Sequence, residues 1–327
     1  MSTDQLAKVE LHLHLEGAAP PDLIRSLAKK NHINLSKIFS ADGSYKFLNF
    51  NNFLRVYEEA TSVLKTPEDF YALTMGVLNE CFKNNIVYVE TFVSPQFCGG
   101  NDLVAWKDYL QAIQAASADA DRKYGIVSRG IVTAIRHLGP AKAIEAANCA
   151  VATAGDWVVG FGMAGDEKFG QQKDYLYSFD LARESGLKLT SHAGEWSGAS
   201  SVADAVNDLK VQRVGHGVRA IEDHDVLKLL KDKDIVLEVC PGSNVFLGVF
   251  PNLESHPIQK LSEMGVKTTV STDDPPFFRT SMNKEYRDLE KTFKWTKKDF
   301  RELNKIALEA AFCDSDTKAN IAMKLGL

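Results

Sequence analysis

Four of the eight histidines and a pair of adjacent aspartates stand where short β-branched runs of this 327-residue chain give way to turn residues. His12-Leu13-His14 closes the first run, His192-Ala193-Gly194-Glu195 the fifth, Gly215-His216-Gly217 the sixth and Asp273-Asp274-Pro275 the last. Residues two apart on a strand share a face, so His12 and His14 present two imidazoles to one point. A third imidazole from His192 and a carboxylate from Asp273 complete a nitrogen and oxygen set that suits one zinc ion and leaves a position for water. His137, just past the third run, is a weaker fifth histidine. Each feature alone has an ordinary reading. The HxH pair reads as two polar residues of an amphipathic strand, and Asp273-Asp274-Pro275 as a turn that caps a helix. Gly242-Ser243-Asn244 reads equally as turn chemistry or as a substrate-facing loop, and His32, His224 and His256 as solvent-facing residues. Four independent run ends that each offer a ligand-type residue favour the metal reading.

The elements that must position these groups are eight short runs, at 9–16, 86–95, 126–136, 157–163, 187–193, 213–218, 235–241 and 266–273, separated by segments of helical period such as 103–124, 174–185 and 222–233. Eight strands alternating with helices predict right-handed parallel crossovers closing into a (β/α)₈ TIM barrel, whose reactive groups gather at the C-terminal strand ends. One domain, 1–327, accounts for the whole pattern. Residues 31–66 exceed an ordinary βα loop and carry a helix-like run at 50–63. They are expected to lie over the barrel mouth, as a lid or as a packed helix pair. Helical segments from about 283 and 297 are expected to close the far side. The composition is that of an ordinary globular protein, 45% apolar and 25% charged with a net charge of −5. It has no basic block for nucleic acid and no apolar run long enough for a membrane. Five dispersed cysteines without a CxxC pair suit a reducing compartment, so a cytosolic, cytoplasmic location is expected.

Two rival metal chemistries fail on the same residues. His14-Leu15-Glu16 fits half of a cytidine-deaminase zinc site, but the PCxxC half is absent. A binuclear hydrolase wants a bridging lysine at the end of the fourth strand, where Gly165-Asp166-Glu167 stands with Lys168 beyond it. A single metal per chain is favoured.

HLHLEG at 12–17, GFGMAGDE at 160–167, SHAGE at 191–195, RVGHG at 213–217 and STDDP at 271–275 resemble, in order, the motifs of the adenosine and adenine deaminases of the amidohydrolase superfamily. The resemblance implies a zinc-dependent barrel with His12, His14, His192 and Asp273 as ligands, and a place in purine metabolism and nucleotide salvage. It also implies that Glu195 works at the purine ring, that His216 and Asp274 attend the attacking water and the ring, and that the Gly165 amide contacts the base. Glu16 departs from the Asp of typical adenosine-specific members and agrees with many adenine-base enzymes. The overall pattern resembles sequences assigned to adenosine, so adenosine and deoxyadenosine are the first reading, with adenine or a modified adenine as the alternative.

Physical chemistry supports the same reaction. Attack at an aromatic carbon destroys ring conjugation, so a proton must reach the adjacent ring nitrogen as the bond forms, and Glu195, three residues past a ligand, is placed to donate it if burial keeps it protonated. His216 is placed to steer the water and accept or stabilise its proton, and Asp274 to hydrogen-bond the imidazole part of the purine. Amide or ester hydrolysis on the same barrel would need no ring-protonating acid. A non-catalytic metal-binding barrel would need neither Glu195 nor His216.

Overall fold

The structure is a computed structural model and describes residues 3–327. Each of the eight β-branched runs holds one strand: β1 Lys8–His14, β2 Ile86–Val93, β3 Val127–Ile135, β4 Val158–Ala164, β5 Lys188–Ala193, β6 Arg213–His216, β7 Val236–Val239 and β8 Lys267–Val270. Neighbours pair in parallel in the order β1 to β8. Because helices cover the sheet from outside and side chains fill it from inside, these strands are buried on both faces, which is why they read as near-continuous apolar runs. The ring closes through the site itself. Asp273, just beyond β8, bridges Leu13 in parallel, its amide donating to the His12 carbonyl at 3.1 Å and its carbonyl accepting from the His14 amide at 3.1 Å.

Local chemistry sets the helices between the strands. Leu103–Tyr124 starts where the Asp102 carboxylate accepts from the Ala105 amide and stops at Gly125, whose φ of 68° suits glycine. Pro67–Lys83 begins with a reciprocal Thr66 and Asp69 capping box. Within 31–66 the chain forms one helix, Phe50–Thr61, preceded by turns and an isolated Phe39–Tyr45 bridge, so no helix pair forms there. After Pro275 come Met282–Phe293, Lys297–Ala310 and a further helix, Ser315–Leu325. Asn304 of the second accepts from the Val9 amide at 2.8 Å, which seats that helix against the start of β1, at the end of the barrel opposite the site. Among the described residues no helix is long and apolar enough to cross a membrane.

Candidate active site

His12, His14, His192 and Asp273 converge, with one candidate ligand atom from each lying within 4.8 Å of all the others. His14 Nε2 stands 3.3 Å from His192 Nε2 and 3.2 Å from Asp273 Oδ1, and His12 Nε2 is 3.5 Å from the same oxygen. The ring orientations are fixed from behind. His192 Nδ1 donates to the Met163 carbonyl at 2.9 Å, and His12 Nδ1 donates to Glu238 at 2.8 Å. In its neutral form each ring therefore carries a lone pair on Nε2, and the Nε2 of His12 is buried with no hydrogen-bond partner. Acceptor atoms so crowded need a cation among them, and three imidazole nitrogens with one carboxylate oxygen are the donors that a divalent transition metal takes. The residues fit one divalent metal ion.

A second grouping, His216, Cys240 and Asp273, is a poorer fit. Burial pushes the Cys240 thiol well up, and the nearby carboxylates of Asp273, Glu285 and Glu238 push it further, so it stays a thiol and not a metal-binding thiolate.

Behind the ligands lies a layer that sequence reasoning missed. Burial raises the Glu238 carboxyl, but Arg213 and His12 more than offset this and hold it below the usual carboxylate range. Arg213 bridges Glu238 at 2.5 Å and Glu90 at 2.6 Å while its guanidinium lies 3.5 Å from the centre of the Phe312 ring. This locked carboxylate is what pins the His12 tautomer, the usual outer partner of a metal-binding imidazole. Ser243 donates to Asp273 Oδ2 at 2.7 Å, leaving Oδ1 for the histidines. Gly242-Ser243-Asn244 is thus neither plain turn nor substrate loop: it lies in the helix Pro241–Phe246, where Ser243 holds Asp273 in place. His216 and Asp273 take left-handed φ values of 60° and 67°, strain that a non-glycine residue sustains only where its surroundings enforce it.

Three further buried carboxyls face a cavity of about 260 Å³ beside the candidate metal ligands. Burial pushes Glu195 well above the usual carboxylate range, and Asp273 and Glu167 push the same way. Burial and then Asp273 do the same to Asp274. Glu16 is raised to about 7 by burial, against the Ser94 amide that donates to it at 3.1 Å. Burial thus favours the protonated form of both Glu195 and Asp274. Glu167 secures the first of them: its Oε2 accepts from the amides of Glu195 at 3.1 Å, Trp196 at 2.6 Å and Ser197 at 2.8 Å. Gly17 lets Asp274 in, since a Cβ there would come within 1.6 Å of the Asp274 Oδ1.

Apolar rings from Phe50, Phe53, Tyr57, Phe92 and Phe97 complete the walls, so the insertion helix Phe50–Thr61 lines the cavity. Gly165 lines it too, at a φ of 104°, with its Cα so near His137 that a Cβ would sit 2.8 Å from Nδ1. His137 reaches the cavity as well, with its Nε2 3.8 Å from Glu58. All the residues singled out for chemistry therefore meet in one place. The exception among the histidines set aside is His256, expected at the surface and instead buried, its Nε2 3.1 Å from Asn244 Oδ1. Its loop packs under the helix Pro241–Phe246, a contact that no local pattern in the sequence announces.

The sequence pattern of the family described as adenosine deaminase matches residues 7–326. An adenine deaminase of Rhizobium rhizogenes is 44% identical over 324 residues, 99% of this chain and 100% of that protein. One of Agrobacterium fabrum is 42% identical over 325 residues, 99% of each. Among solved structures, an adenine deaminase from Arthrobacter aurescens superposes with a TM-score of 0.90 at 27% identity, over 98% of each chain. An amidohydrolase from Burkholderia ambifaria, solved with bound zinc, gives 0.88 at 25% identity, over 99% of this chain and 90% of that one. A barrel that gathers its candidate metal ligands at the C-terminal strand ends, together with a family match running nearly end to end, makes this chain a member of the adenosine deaminase family.

Proposed function

We propose that the protein hydrolyses free adenine to hypoxanthine and ammonia, using one zinc ion held by His12, His14, His192 and Asp273, with the helix Phe50–Thr61 as the cover of the site. The first reading of the sequence, adenosine, gives way to its alternative. The observation that carries this is the Glu16 carboxyl, buried in the wall of a cavity of about 260 Å³, below the roughly 300–1,000 Å³ usual for drug-sized ligands. A free base carries a ring N–H where a nucleoside carries its sugar, and a buried carboxylate is the acceptor for it. A substrate without that N–H leaves the carboxylate with the Ser94 amide as its hydrogen-bond donor and its other oxygen unmatched in an apolar wall. The names of the relatives agree with this reading.

When bound, the metal supplies Lewis acidity that lowers the pKa of water from about 15.7 to about 7. Glu195, held protonated by burial, gives its proton to the ring nitrogen beside the amino-bearing carbon as oxygen adds to that carbon. Asp274, also protonated, donates to the imidazole part of the purine and fixes the ring in plane. The Gly165 backbone, which lines the cavity, would stand along the ring edge. The carbon–nitrogen bond then breaks. The proton from Glu195 stays on the ring nitrogen, one hydrogen of the water restores the Glu195 carboxyl, and the other leaves with the amino group as ammonia.

Glu16→Asp tests the reading, since it withdraws the carboxylate by one methylene without removing its charge. The ratio of kcat/KM for adenine to that for adenosine is expected to fall by about 10-fold to 100-fold, the weight of one buried hydrogen bond left unmade. An unchanged ratio in a folded, metal-loaded variant would take Glu16 out of substrate selection.

A further inference from the structure

A chain of hydrogen bonds runs from a backbone amide to the reaction centre, and its direction can be read from one end. The Ile258 N–H, which can only donate, points at His256 Nδ1 at 3.2 Å. That nitrogen must therefore hold a lone pair, so a neutral His256 carries its proton on Nε2. Burial, with His216 nearby, holds the His256 imidazole down to about 3, so the ring is neutral at working pH. His256 Nε2 lies 3.1 Å from Asn244 Oδ1 and donates to it. The amide is thereby oriented with its NH₂ group toward His216 Nδ1, 3.1 Å away. His216, Asn244 and His256 are all buried, so water does not compete for these bonds.

We infer that Asn244, oriented by His256, is a positioning residue that fixes His216 as the Nε2–H tautomer, so that His216 meets the reaction as a hydrogen-bond donor and not as a base. His216 Nε2 lies 3.8 Å from Glu195 Oε2 and 3.9 Å from Asp273 Oδ2, too far for direct bonds to either and spaced for an oxygen atom between them. The Nε2–H points into that space. It follows that His216 is not a metal ligand, because the nitrogen facing the cluster keeps its proton, and that the water's proton passes to the Glu195 carboxylate once that group has protonated the ring. The role of the oxygen rests on the deamination proposed above; the tautomer does not.

The test is a long-range ¹H–¹⁵N spectrum of the substrate-free, metal-loaded enzyme with ring-labelled histidine, signals being assigned through single-histidine variants. His216 and His256 are both expected to show a protonated Nε2 and an unprotonated Nδ1. Asn244→Asp, which puts an acceptor against His216 Nδ1, is expected to move the His216 proton to Nδ1 and to lower kcat on the order of 10²-fold or more, with KM changed far less. His256→Phe, which frees the amide to turn, should lower kcat in the same direction, and His256→Gln, which retains an N–H donor, should recover most of the loss and the Nε2–H signature. A wild-type His216 protonated on Nδ1 would overturn the inference, as would a folded Asn244→Asp enzyme whose His216 keeps its proton on Nε2. If that variant does not fold, the wild-type spectrum decides alone. Since the sample contains no substrate, a mistaken choice of purine would leave the tautomer result unchanged.

Discussion

Glu195→Gln is expected to keep the fold, the metal and purine binding while losing about 10²–10⁴-fold in kcat. The amide is nearly isosteric with the carboxyl but cannot pass a proton to the ring nitrogen and take one back. The loop should not move, because Glu167 grips the amides of residues 195–197 and not the Glu195 side chain. Removing a buried, protonated carboxyl also strands no charge, so the loss falls on kcat and leaves KM within a few fold. Steady-state rates, with calorimetric binding of a purine product to the variant, check both halves. Turnover within a few fold of the parent would exclude Glu195 as the proton donor.

The second large effect concerns the metal. His12→Ala and Asp273→Ala should each lose bound metal and activity together, since either leaves three donors where four converge. Elemental analysis of the parent should give one zinc per chain. Glu238→Gln is the more informative variant. It leaves all four ligands in place but weakens the acceptor that pins His12 Nδ1, and outer partners of this kind are commonly worth about 10–100-fold in metal affinity. Two metals per active chain, or full activity after exhaustive chelation, would contradict the single-metal account.

The barrel was legible because parallel strands buried on both faces leave β-branched runs in the sequence, and eight such runs have one common way to close. The candidate ligands were legible for a related reason: strand alternation places His12 and His14 on one face, and the barrel brings every strand end to one rim. What escaped were the groups that act across the barrel. Glu238 sits inside the run Ile235-Val236-Leu237-Glu238-Val239, where an acid among apolar residues is a visible anomaly, yet its partners Arg213 and His12 come from other strands. His256 lies among Glu254, Ser255 and Pro257, neighbours typical of an exposed loop, and only packing beneath Asn244 buries it. Glu167 was seen as the end of a motif, but not as the clamp on the Glu195 loop. Choice of purine was the hardest point to read, since it turns on one methylene at Glu16 and on the size of a cavity that several loops enclose.

The most direct test is the ratio of specificity constants for adenine and adenosine, measured by ultraviolet absorbance and ammonia release with the zinc-loaded wild-type protein. The arrangement of Glu16, Asp274 and Glu195 around a small apolar cavity predicts that adenine is converted to hypoxanthine with a kcat/KM at least about 10²-fold above that for adenosine. Adenosine turned over as efficiently as adenine, or preferred to it, would contradict the account.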